Sequence, residues 1–113
     1  MNYLQKTLYV TQPALTAPGS GTALQVDFPN RSSCANFVLA VTVTSINTNV
    51  VVRLDASLDG TNYGTLITGQ TITANGTTLY TASNVPVKFV QPVFVSESGG
   101  TAAVVSFAIS AAN

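Results

Sequence analysis

The chain has 113 residues, which suits one domain large enough to hold a core without staples. Four basic and four acidic residues give zero net charge, and 7% of positions are charged against about 25% in an average soluble domain. Scattered Lys6, Arg31, Arg53 and Lys88 form no basic patch, which speaks against nucleic acid, and no apolar run reaches the roughly 18 residues of a membrane span.

Histidine is absent and Cys34 is the single cysteine. An internal disulfide, a Cys/His zinc site and a Ser-His or Cys-His nucleophile pair are therefore all out of reach. Net charge near zero favours association, so the composition suits a chain packed against copies of itself or against partners. A low-charge secreted or cell-surface domain fits the same composition.

The first segment, "MNYLQKTLYVTQPALTAPGSG", has neither a basic leader nor a continuous apolar stretch, so the protein is expected to stay in the compartment where it is made. Two prolines and two glycines in "TQPALTAPGSGT" predict an extended N-terminal arm over Met1–Gly21, with one short strand at Leu4–Val10. Residues 22–113 then form the body, with "ALQVDF" as its first strand. "NRS" at Asn30 and "NGT" at Asn75 match glycosylation acceptors, and without a secretory route they read as chance matches.

"ANFVLAVTVTSI" alternates, placing Phe37, Leu39, Val41 and Val43 on a core face and Val38, Ala40, Thr42 and Thr44 on the other. "NVVVRLDASL" does the same, with Val50, Val52, Leu54, Ala56 and Leu58 inward and Val51, Arg53, Asp55 and Ser57 outward. The short "SINTN" between them predicts an antiparallel hairpin of Phe37–Ile46 with Val50–Leu58.

"TLITGQTIT" and "ANGTTLYTA" follow, and Asn75-Gly76 predicts a second hairpin through a type I′ turn. In "VPVKFVQPVFVSES", Pro92 has no donor for a ladder, which predicts an edge strand or a bulge. "ESGG" turns the chain into "TAAVVSFAISA", where Val105, Phe107 and Ile109 share a face. No window keeps helical periodicity. Seven to nine short strands predict an all-β fold, a single antiparallel β-sandwich of jelly-roll or immunoglobulin-like type.

Candidate chemistry is sparse. Cys34, just before a strand, reads as a small buried thiol. Asp55 with Asp59, or Asp27 with Glu97, could pair carboxylates for acid–base work, but Asp55 shares a strand face with Arg53 and reads as half of an exposed ion pair. A hard cation would need Asp55, Asp59 and Asn62 to converge, yet "DASLDGTN" lacks the spacing of a calcium loop. The same residues make a turn: Asp59 bonds its own backbone, Gly60 supplies positive φ and Asn62 tolerates it. The residues expected to matter are thus turn residues, Asp59, Gly60, Asn62, Asn75 and Gly76. Tyr63 either stacks on a ligand or partner or lies as a lid over the core. No catalytic residue, metal or cofactor is expected, and the protein reads as a non-enzyme.

The segments "VVVRLDASLDGTNYGTL", "NGTTLY" and "VPVKFVQPVFVSES" resemble small β-sandwich structural proteins of tailed bacteriophages. The matching positions are Val50, Val52, Leu54, Ser57, Asp59, Gly60 and Asn62, then Ser96, Glu97 and Ser98. The resemblance runs from Val38 to Ser106 and leaves out the arm; Asn62-Tyr63 stands where many such sequences place tryptophan first. It implies a virion structural protein assembled in the host cytoplasm, either a capsid decoration (cement) protein or a small neck or tail component. A decoration protein would have the major capsid protein and its own copies, a trimer at first guess, as partners. The competing expectation is a carbohydrate- or surface-binding sandwich with Tyr63 at its site.

Overall fold

A computed structural model describes residues 7–26 and 35–112. Among the described residues there are nine strands: β1 (Thr7–Thr11), β2 (Gly19–Ser20), β3 (Leu24–Gln25), β4 (Asn36–Thr44), β5 (Asn49–Ser57), β6 (Tyr63–Ile72), β7 (Gly76–Ala82), β8 (Phe89–Ser98) and β9 (Val104–Ala112). All pairing is antiparallel. A four-stranded sheet has the order β1-β9-β4-β7, and a five-stranded sheet the order β2-β8-β5-β6 with β3 also on β8. Among these neighbours only β5 and β6 are consecutive in sequence. Apart from β2 and β3, which both lie along β8, the other successive strands cross from one sheet to the other, which is the jelly-roll arrangement and not the hairpin-rich immunoglobulin one.

The two hairpins expected from local sequence are therefore replaced. β4 lies in one sheet and β5 in the other, joined by an arch in which Ser45 takes a φ of 57°. β6 and β7 are split in the same way; Gly76 has a φ of 130°, Asn75 has no positive φ, and no type I′ turn forms. Both partners of each pair carry an apolar face, and the assembled core selects between two ways of burying it. In a hairpin those faces would lie side by side in one sheet, whereas in an arch they face each other across the core. Asn75 joins the two arches, its Oδ1 accepting the Ile46 N–H at 2.9 Å.

The core consists of the two inner faces. Phe37, Leu39, Val41 and Val43 of β4 and Val105, Phe107 and Ile109 of β9 face Val50, Val52 and Leu54 of β5 and Val90 and Phe94 of β8. The inward alternation read from sequence holds for these strands. It fails at Leu58, which is 65% exposed because the strand ends at Ser57 and Leu58 starts the loop.

Pro92 is on an interior strand, not an edge, and the register shift of β8 against β5 falls beyond it, between Phe94 and Ser96. Its carbonyl accepts the Gly21 N–H at 2.7 Å, so the side lacking a donor points at the gap between β2 and β3, and no bond to β5 is lost. A Cβ on Gly21 would meet Pro92 Cγ and Gln12 Oε1, so the crossing needs glycine there.

The stretch over residues 7–21 is extended, and its bonds run to its own body. β1 pairs β9 from Thr7↔Ala112 to Thr11↔Ala108, one residue beyond the expected strand end at Val10. Leu15 exchanges backbone bonds with Val105, and Gln12 exchanges two side-chain bonds with the Thr22 backbone. Gln91 Nε2 donates to Gly21 O at 2.9 Å. Residues 1–6, and with them the start of the arm, lie outside the described residues.

Leu39, fully buried, and Leu58, in the loop, test this placement. Leu39→Ala is expected to lower unfolding free energy by about 2–5 kcal/mol and Leu58→Ala by less than about 0.5 kcal/mol. Urea denaturation measures both, and equal losses would contradict the placement of Leu58.

Candidate functional site

The acidic loop between β5 and β6 closes the one sequence-local hairpin among the described residues, and its geometry accounts for every residue of "SLDGTN" except the exposed Leu58. Ser57 is buried at the end of β5, and its Oγ accepts the N–H of Asp59 at 3.2 Å and of Gly60 at 2.9 Å. Asp59 Oδ1 in turn accepts the Ser57 hydroxyl at 2.9 Å and the N–H groups of Thr61 and Asn62 at 2.8 Å each. Its Oδ2 accepts Asn62 Nδ2 at 2.8 Å. Gly60 sits at a φ of 81°, and a Cβ there would come within 3.1 Å of the Phe89 ring. Side chain and backbone thus satisfy one another within six residues.

Those donors, the Asn62 and Thr61 backbone N–H groups first, hold the Asp59 carboxyl well below its ordinary value of 3.8. A carboxylate so fully engaged is neither a proton donor near neutral pH nor a free metal ligand. Asp55 does not join it. Its carboxylate takes a fork of bonds from Arg53, Nε to Oδ1 at 2.9 Å and a terminal guanidinium nitrogen to Oδ2 at 3.2 Å. Asp55 is only 8% exposed, so the pair expected at the open surface is half-buried on the outer face of the five-stranded sheet.

Glu97 points inward at the crossing from β8 to β9, opposite Val50, with Oε2 accepting the Ala103 N–H at 2.9 Å. Asp27, its possible partner, and Cys34 lie outside the described residues. Among the described residues no group of three or more Cys, Asp or Glu converges on a point.

Two open clefts flank this framework. One, of about 360 Å³, lies beside the loop against Ser57, Leu58, Asp59, Asn62 and Val87. Another, of about 280 Å³, runs from Thr71 to Tyr80 around Asn75 and Gly76. Tyr63 lines neither; it opens β6 opposite Ser57 and is half-buried. The turn residues therefore separate into two places, Asp59, Gly60 and Asn62 at the hairpin tip, and Asn75 and Gly76 at the arch.

The sheet order creates a surface feature that no local stretch of sequence reveals. No Asp, Glu, Lys or Arg occurs on β1, β4, β7 or β9, the whole of the four-stranded sheet. Its outer face consists of Thr, Ser, Ala and Val with Asn36, Tyr9 and Leu79, the last two being 67% and 63% exposed. The described charged residues, Arg53, Asp55, Asp59, Lys88 and Glu97, all belong to the five-stranded sheet or the loops beside it. The signal was present in the strand sequences, but only the sheet order collects them on one face.

No family model matches the chain, and no curated protein matches it. The fold is similar to the crystal structure of the SPBc2 prophage-derived protein YomS, at a TM-score of 0.65 and 12% identity. The match covers 100% of this chain and 98% of that one. At that identity the likeness is one of fold, and it extends over the whole jelly roll, including the strands that the N-terminal segment contributes.

The depressed Asp59 pKa fixes the sign of a pH effect. Its folded value lies below its unfolded one, so its stabilisation is complete above about pH 4 and is lost as pH falls below that. Wild-type unfolding midpoints in urea are expected to drop between about pH 4 and pH 2, with Asp59→Asn starting lower and losing part of that drop. An identical pH profile in Asp59→Asn would contradict the bonding described. Gly60→Ala is expected to destabilise by more than about 1 kcal/mol in the same measurement, through its φ and the Phe89 ring.

Proposed function

We propose that this protein is a structural component of a phage particle that acts by docking, not by catalysis. The observation that carries the reading is the charge-free outer face of the four-stranded sheet. Burying such a face against another protein strands no unpaired ion, the main penalty in covering an ordinary protein surface. The jelly roll shared along its full length with a prophage-derived protein supports a phage setting. The fully bonded Asp59 loop supports a mechanical role, since its carboxylate is committed to holding the hairpin.

Within that setting the reading is a decoration protein on the capsid surface, with the major capsid protein and its own copies as partners. Many identical subunits, each weakly held, add their contacts through multivalency. Sheet residues such as Ala40 and Ala108, paired directly across β4 and β9, would lie near the middle of the contact.

Purified protein is expected to add to undecorated capsids and raise their resistance to heat. Ala40→Glu is expected to lower that binding by at least about a hundredfold, because it buries an unpaired charge at the contact, while the folded monomer keeps its melting temperature within a few degrees. Gold labelling of whole particles distinguishes shell, neck and tail. Absence of label from all three would overturn the reading.

A further inference from the structure

Sheet edges are surfaces that other strands can pair with, and this molecule guards its edges unequally. In the five-stranded sheet, β2 and β3 are two residues each and are interrupted at Pro92. β6, on the opposite edge, carries Gly64 and Gly69 and two register irregularities against β5. Short, broken or bulged strands of this kind resist pairing with another chain. In the four-stranded sheet, β1 is five residues long, preceded in sequence by Lys6 and followed by Pro13.

Among the described residues β7 is paired on one side alone, and apart from the Gly76 that opens it, it has none of these guards. It pairs β4 without a register break from Phe37↔Ala82 to Val43↔Gly76. It holds no charge and no proline, and the nearest charged residues in sequence are Asp59 and Lys88. Its outer side chains are Thr77, Leu79 and Thr81, with Leu79 63% exposed.

We infer that β7 pairs antiparallel with β7 of a second copy about a two-fold axis through Leu79. The sequence of the strand carries the choice of a second copy over another partner. With Leu79 opposite Leu79 of the second copy, Thr77 faces Thr81 of the second copy and the reverse pair is identical, so each outer side chain meets one of its own kind, while on the inner face Thr78 faces Tyr80 of the second copy. The row Ala108–Ala40–Leu79 then continues into the same row of the second copy, reversed, and joins two four-stranded sheets into one. No charge lies in either joined face, so nothing opposes the contact electrostatically. This inference rests on the self-association within the function proposed above, and not on the particle being the destination.

Cysteine cross-linking tests the register, in a Cys34→Ser background whose fold is checked by circular dichroism. Leu79→Cys is expected to form a disulfide dimer under mild oxidation at least about ten times faster than Thr81→Cys, because only the former places its own copies opposite each other. A mixture of Thr77→Cys and Thr81→Cys is expected to cross-link between the two chains. Sedimentation velocity, which needs no cysteine change, is expected to show a concentration-dependent dimer for the native sequence and a monomer for Leu79→Lys.

Equal rates for Leu79→Cys and Thr81→Cys would overturn the inference. So would preferential cross-linking of Leu79→Cys to Tyr9→Cys, which would mean head-to-tail joining of β7 to β1. Oligomers that persist in Leu79→Lys would overturn the β7 contact while leaving self-association standing, and a native monomer at all concentrations would overturn both. A β7 dimer that is absent from phage particles would sustain this inference and overturn the virion reading alone.

Discussion

The fold depends on the burial of two apolar stripes against each other, Leu39, Val41, Val105 and Phe107 from one sheet and Val50, Val52, Val90 and Phe94 from the other. Each strand contributes only one apolar face, so neither sheet is stable without the opposite one. That constraint makes the chain alternate between sheets and turns the links 45–48 and 73–75 into arches. It also draws the segment over residues 7–26 into the body, where β1 extends one sheet and β2 and β3 extend the other. Polar side chains finish what the ladders leave open: Asn75 ties the arches together, and Gln12 and Gln91 hold the stretch where Pro92 interrupts pairing.

A second consequence is the division of charge. Alternation between sheets sorts the strands into a charge-free group and a group that carries the ions. The Arg53–Asp55 fork and the Asp59 turn hold these three ions locally, Glu97 keeps its Oε1 buried without a hydrogen-bond partner, and the opposite face carries none of them. The docking role proposed above rests on this division and not on any loop, because a broad uncharged surface suits a permanent protein contact.

The hairpin loop illustrates how far local chemistry reaches. Its acidic residues look like a ligand site when counted and a turn when their spacing is considered, and the hydrogen bonds give each a structural partner. Alternation alone places Ser57 among the outward strand residues. Its actual place, buried and accepting two backbone donors, follows from Asp59 folding back onto it. Asp55 differs from expectation for a similar reason, since the Arg53 side chain lies along the same strand face and covers it.

By itself the sequence determined what is local in period or in bonding: strands from alternation, the core face of β4, β5 and β9, the "SLDGTN" turn, the scarcity of charge and the all-β class. These follow from side-chain spacing and short-range hydrogen bonds within a few residues. Tertiary structure alone decided which strands pair, because an apolar face is equally content beside or opposite its neighbour until the whole core is assembled. The same global condition converted Asn75-Gly76 from an expected hairpin into an arch and placed Pro92 inside a sheet at a gap. It also gathered the uncharged outer residues of strands distant in sequence onto one continuous surface.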